Sequence, residues 1–173
     1  MQNEKTVKFV KGSNANKQAI ADAVMYLSSR KTGALITIEK HKLLDQYAEK
    51  AVLLNAEISK ELLINIFTPL TPLHDGAVIV RGNRIVSATC YLPLSDNLGL
   101  SKELGTRHRA AVGISEASDS LTVIVSEETG KISVAHGGEL DRNLDVEELR
   151  MYMHQVLNKD SEENKGIRKW KGR

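Results

Sequence analysis

Two short segments carry side chains suited to chemistry on a phosphorylated substrate. The first is His74-Asp75-Gly76-Ala77, between a loop ruled by Pro69 and Pro72 and an apolar run from Ala77 to Val80. Each proline pushes the residue before it into extended backbone, so the chain must approach His74 extended. Gly76 permits backbone angles and close approaches that a side chain forbids. Asp75 would then be a catalytic carboxylate at the mouth of a strand. The alternative for the tetrapeptide alone is a plain Asp-Gly turn.

The second segment is Gly105-Thr106-Arg107-His108-Arg109, at the start of a predicted helix. A helix N-terminus offers free N–H groups and a positive dipole end, which suit a phosphate. The hydroxyl, two guanidinium groups and imidazole add anion donors. Cations in a first helical turn oppose the helix dipole, and a bound polyanion removes that conflict. The competing reading is a solvated basic turn. Successive helical residues lie about 100° apart, so Arg107 and Arg109 cannot easily face one ligand. We expect Arg107 and His108 at the ligand, and Arg109 in a supporting ion pair or at a subunit contact.

Other residues are weaker candidates. Ser126-Glu127-Glu128 ends a strand and offers either a phosphate-binding hydroxyl or a turn with solvated acids. Tyr91-Leu92-Pro93 could wall a base pocket or simply pack. Cys90 has no basic partner close in sequence and reads as a buried, inert thiol. His41, His136 and His154 lack metal-ligand spacing, and neither a P-loop nor Gly-x-Gly-x-x-Gly occurs.

Several elements must position these residues. Asn14 or Asn16 caps a predicted helix to about Arg30, with Ile20, Ala23, Val24 and Leu27 apolar at helical spacing. Strands are predicted at Ala34–Ile38 and Ala51–Leu54, with residues 39–50 a loop containing one helical turn. Ser59 opens a second helix that Pro69 stops. Gly82-Asn83 joins strands Ala77–Val80 and Arg84–Leu92 as a hairpin. A loop to Gly105 leads into a helix at Thr106–Ala117. Glu128-Thr129-Gly130 turns strand Leu121–Val125 into strand Lys131–Ala135. Asp145 with Glu148 forms a capping box for a last helix to Leu157. Helices interleaved with two tight hairpins predict a single α/β domain whose mixed central sheet carries helices on both faces.

The 173 residues carry a net charge of +2 and one cysteine. One domain of this length folds without disulfides, and the lone cysteine points to a reducing compartment. From Lys159 to Arg173, six Lys/Arg stand against three Asp/Glu, leaving the first 158 residues at −1. That near-neutral body, with only seven aromatics, argues against a nucleic-acid-binding protein. No apolar run reaches membrane-spanning length. Three parts are expected: a disordered segment at 1–16, a catalytic domain at 17–158 and a basic tail at 159–173.

Taken together, Gly33-Ala34-Leu35-Ile36, Asp75-Gly76-Ala77, Gly105 through Glu116 and Ser120 through Glu128 resemble the diadenylate cyclase (DAC) family. Glu61 through Phe67 and Thr71 through His74 look like its membrane-associated branch in Gram-positive bacteria. The resemblance covers roughly residues 17–158 and implies synthesis of cyclic di-AMP from two ATP, with release of two pyrophosphates. It implies that two subunits, each holding one ATP, face each other as a homodimer. Asp75 would act on the attacking 3′-hydroxyl, with Gly76 and Ala77 at the ribose and α-phosphate. Gly105, Thr106, Arg107, His108 and Ser126 would hold the triphosphate, Tyr91 and Leu92 would border the adenine, and Arg109 and Glu127 would support. A divalent ion (Mn²⁺, Mg²⁺ or Co²⁺) would sit near His74 and Asp75.

The resemblance also implies a YbbR-type regulator and a phosphoglucosamine mutase as partners. Membrane-type relatives carry transmembrane helices ahead of the cyclase domain, and none is seen here. The expectation is thus a soluble catalytic region whose full-length protein works at the cytoplasmic face of the membrane. The runner-up is a module that binds ATP or cyclic di-AMP without turnover, which would not need Asp75.

Overall fold

The computed structural model describes residues 14–158. Twelve elements follow one another there: α1 (Asn14–Ser29), β1 (Ala34–Ile38), α2 (Asp45–Ala48), β2 (Val52–Glu57), α3 (Lys60–Phe67), β3 (Ala77–Arg81), β4 (Arg84–Cys90), α4 (Thr106–Ala117), β5 (Leu121–Val125), β6 (Ile132–His136), β7 (Glu139–Leu144) and α5 (Val146–Asn158). The strands form one seven-stranded sheet in the order β2-β4-β3-β1-β5-β6-β7. Only β1 and β3 pair in parallel, with Ile36 opposite Val78; every other pairing is antiparallel. The predicted mixed sheet and both predicted hairpins are present.

The central strands are apolar on both sides because helices cover both faces. All five residues of β1 are buried, and so are all five of β5. On one face, Ile36, Val78 and Val123 meet Val24 and Leu27 of α1, Leu63 and Phe67 of α3, and Leu149 and Met153 of α5. On the other, Leu35, Ile79 and Ile124 meet Ala110, Ala111 and Ile114 of α4, with Ala48 of α2. The one polar pair between the middle strands is self-satisfied, with Thr37 Oγ1 2.9 Å from Thr122 Oγ1.

Local signals account for most boundaries. Ser59 caps α3 by accepting from the Leu62 amide at 3.1 Å. Asp145 does the same for α5, accepting from the Glu148 amide at 2.8 Å. Asn16 does not cap α1. It lies inside the helix, and its side-chain amide reaches the Gly82 carbonyl. Asn14 and Asn16 thus belong to α1 rather than to the expected disordered segment, whose remainder falls outside the described residues, as does the basic tail. Strand β2 runs on to Glu57, past the predicted end, because it pairs with β4 as far as Arg84.

Strand β7 is the element absent from the sequence reading. Its residues are mostly polar, so no apolar alternation marks it. The signal that could have found it is Gly137-Gly138, both at positive φ, a hairpin turn between His136 and Glu139.

Candidate active site

One end of the sheet is left open. The ends of β4, β5 and β7 and the starts of β3, β1 and β6 meet there beneath the N-terminus of α4. Between them lies a cleft of about 700 Å³. Both segments singled out above open into it.

His74, Asp75 and Gly76 form its lip on the β3 side. Gly76 sits at φ +81°, and a Cβ there would lie 2.9 Å from the Cys90 carbonyl oxygen. Glycine is thus required both by conformation and by the close approach of β4. The Asp75 side chain is 68% exposed, 3.3 Å from His74 Nε2. His74 Nδ1 lies 2.7 Å from the Thr71 carbonyl oxygen, which can only accept, so Nδ1 carries the proton. In the neutral ring, Nε2 therefore presents a lone pair toward the Asp75 carboxylate. Two facing acceptors repel unless a proton or a cation lies between them.

The opposite wall is the first turn of α4. Its N-cap position is Gly105, which supplies no side-chain bond, and no acid stands in the turn. The first amides therefore face the cleft without the usual carboxylate. Arg107 is held by Glu127, with Nη1 3.1 Å from a carboxylate oxygen. Its guanidinium also lies against Gly33, where a Cβ would come within 2.6 Å of Cζ. His108 lines the cleft while 8% exposed, and no hydrogen bond reaches its ring among the described residues. Burial lowers its pKa, and the charges of Arg142 and Arg107 lower it further, so the ring is held neutral.

Ser126 lies between these walls. Its Oγ accepts from the Glu128 and Thr129 amides, both at 3.3 Å, and its own proton is left for another acceptor. Thr106, Tyr91 and Leu92 also line the cleft; Tyr91 is 79% exposed and Leu92 is buried. One proposed binding residue does not line the cleft. Ala77 is fully buried in the core beneath α4. Arg109 does not line the cleft, as the helical angle leads one to expect; of its two expected roles, the supporting ion pair is not formed among the described residues, which leaves the subunit contact as its proposed role. Arg107 makes the ion pair instead, with Glu127. Cys90 is buried beside the Ser87 hydroxyl, and burial pushes its thiol pKa up, in keeping with an inert side chain.

Sequence reasoning missed the far wall. Arg142 and Asn143 of β7, Ser133 of β6 and Lys131, just before β6, also line the cleft. They are scattered polar residues, and only the β6–β7 pairing brings them to the site.

The family model for the DisA bacterial checkpoint controller nucleotide-binding domain, DAC, matches residues 21–140. The chain belongs to the DAC family. It is 53% identical over 157 residues to cyclic di-AMP synthase CdaA of Bacillus subtilis, covering 90% of this chain and 58% of that protein. A diadenylate cyclase of Listeria monocytogenes is 52% identical over 156 residues, covering 90% and 57%. The chain thus spans somewhat over half the length of these curated relatives. A crystal structure of DacA from Staphylococcus aureus superposes with a TM-score of 0.81 at 50% identity, covering 82% of this chain and 95% of that one.

The DAC family implies a divalent metal, and the residues present can be tested for fit. No group of three or more His, Cys, Asp or Glu with metal-holding geometry occurs among the described residues. A cage built wholly of protein ligands is thus not what this lip offers. The facing His74 Nε2 and Asp75 carboxylate do suit a cation that takes its other ligands from substrate phosphates, a common arrangement for Mg²⁺. The Thr71 carbonyl orients the imidazole as outer-shell acceptors usually do. Among the described residues, no DAC helix is long and apolar enough to cross a membrane.

Proposed function

We propose that this chain is a diadenylate cyclase that condenses two ATP into cyclic di-AMP and two pyrophosphates. The observation that carries the reading is the cleft itself. It sets an exposed carboxylate opposite an uncapped helix N-terminus furnished with Arg107 and a hydrogen-bond-free His108. The names of relatives about half identical over nine-tenths of the chain support the same reaction.

Thr106, Arg107, His108 and Ser126 bind the triphosphate, with the α4 amides contributing their dipole end. Tyr91 and Leu92 border the adenine. Asp75 accepts or polarises the 3′-hydroxyl proton as that oxygen bonds to the α-phosphorus of the second ATP. The bond from that phosphorus to the β-phosphate oxygen breaks, and the electron pair leaves with pyrophosphate. The same exchange at the second ATP closes the ring. A divalent cation held by His74 and Asp75 supplies charge neutralisation and a lowered hydroxyl pKa, and the imidazole donor favours Mn²⁺ or Co²⁺ over Mg²⁺.

Each cleft serves one ATP, so two chains must face each other, and the rate should rise faster than linearly with enzyme at low concentration. Proportionality far below the dimer dissociation constant would sink the dimer requirement. The YbbR-type regulator, the phosphoglucosamine mutase and the cytoplasmic membrane face rest on the family resemblance, and a similar solved structure titled a membrane spanning protein supports membrane association alone.

The reaction is tested by incubating the chain with ATP and Mn²⁺ and measuring cyclic di-AMP and pyrophosphate by mass spectrometry. Asp75→Asn should leave ATP affinity within a few-fold and reduce product by about a hundredfold or more. ATP binding with no product at any protein concentration would leave a binding module.

A further inference from the structure

The far wall of the cleft is built by an irregularity in β7. Opposite Val134 stands Asp141, and opposite Ile132 stands Leu144, so Ser133 alone faces both Arg142 and Asn143. This is a β-bulge, and Asn143 takes φ +60°, the left-handed region that asparagine tolerates better than most residues. The bulge changes which way the strand faces. Leu140 packs with the core beneath α4, whereas Leu144 is buried in the core on the opposite face. In a regular strand, residues four apart share a face. The extra residue reverses that and lets two consecutive side chains, Arg142 and Asn143, line the cleft with Ser133.

Arg142 is exposed and makes no ion pair among the described residues. Its neighbour Asp141 is engaged by the Tyr152 hydroxyl. Its charge, with that of Arg107, falls on His108, whose ring has no hydrogen-bond partner among the described residues. Arg107 is paired with the Glu127 carboxylate, whereas Arg142, which lines the same cleft, has no acidic partner among the described residues. A guanidinium without an acidic partner suits an anionic ligand.

The strand order indicates which part of a ligand lies there. Tyr91 and Leu92 follow β4, Asp75 precedes β3, Ser126 follows β5, and Arg142 lies on β7, at the far edge. A nucleotide with its base at β4 and its sugar at β3 runs its phosphates past β5 toward β7. We propose that the β7 bulge presents Arg142 to the terminal phosphates, so that it binds the pyrophosphate that leaves. This rests on the cyclase reading of the same cleft, and adds a binding residue to it.

The test compares ligands that differ only in those phosphates. Nucleotide binding to the full chain is measured by calorimetry for wild type, Arg142→Met and Arg142→Lys, with ATP, AMP and inorganic pyrophosphate. The expected result is an ATP dissociation constant raised about tenfold in Arg142→Met, a similar loss for pyrophosphate, and partial recovery in Arg142→Lys. AMP affinity and melting temperature should stay at the wild-type values. Unchanged ATP and pyrophosphate affinity in Arg142→Met would overturn the proposal, and so would equal weakening of ATP and AMP. A wild-type chain that binds no ATP would overturn the cyclase reading itself, and this inference with it.

Discussion

The two faces of the sheet are covered to different extents. On one, α1, α3 and α5 together seal the strands, and large side chains such as Leu27, Phe67 and Leu149 are almost wholly excluded from water. On the other, α4 is the only long helix among the described residues, and α2 is a single turn. The cleft opens where α4 begins, because no further helix among the described residues covers that end of the sheet. The sealed face supplies stability, and the half-covered face exposes backbone amides, charges and a carboxylate to a ligand. The second face still needs a close fit. Gly113 of α4 lets the Pro93 carbonyl pass where a Cβ would come within 1.8 Å of its oxygen, and the Ser95 amide bonds to the Arg109 carbonyl at 3.0 Å. That contact anchors the chain just beyond Tyr91 and Leu92.

The contrast can be broken from either side. Leu27→Ala should cost about 2–5 kcal/mol in urea unfolding and leave ATP affinity of the folded protein unchanged. Gly113→Ala should cost about 3 kcal/mol, at the upper end of overpacking penalties, because the obstructing atoms are backbone. Unlike Leu27→Ala, it should also weaken ATP binding, by moving Tyr91 and Leu92. Equal ATP affinity in the two variants would show that the cleft does not depend on the α4 contact.

A second pair of variants separates charge from position. Arg107→Ala should raise the ATP dissociation constant about ten- to a hundredfold, the loss of charge-assisted bonds to phosphate. Gly33→Ala leaves that charge in place but displaces the guanidinium, so a smaller weakening is expected. A Gly33→Ala effect as large as that of Arg107→Ala would mean that position, rather than charge, dominates.

Protonation offers a subtler readout. His108 is held neutral by burial and by two guanidinium charges. Its folded pKa lies below the unfolded one, so its contribution to stability is full above the ordinary imidazole value of about 6.5 and is lost as pH falls through that value toward the folded pKa. A bound triphosphate reverses the local field and favours the protonated ring. ATP binding just below neutrality should therefore take up protons, measured as a dependence of calorimetric enthalpy on buffer ionisation heat, and His108→Gln should abolish it. The smallest effect belongs to Glu127→Gln. The Glu127 carboxylate of its ion pair with Arg107 is well exposed, so stability should change by less than about 1 kcal/mol.

Much of this protein was legible in its residues. The Ser59 and Asp145 caps, the apolar runs of β1, β3 and β5, and the Pro69 and Gly82-Asn83 interruptions are local features, and each acts within a few residues of itself. The same holds for the two chemical segments, because Asp75-Gly76 and the first turn of α4 have their character wherever they are placed. What residue types could not decide was pairing. Polar β7 exists because β6 supplies its hydrogen-bond partners, and Arg142 reaches the cleft because a bulge opposite Ser133 turns it there. Arg107 rather than Arg109 found an acidic partner because the β5 end carries Glu127 to the α4 start. Ala77, two residues after Asp75, is buried because it begins β3, which is covered on both faces, whereas Asp75 lies in the loop before the strand. Sequence alone thus determined most of the elements and the chemical character of the two segments. The tertiary structure decided which of those groups meet, since register and closure depend on contacts between residues far apart in the chain.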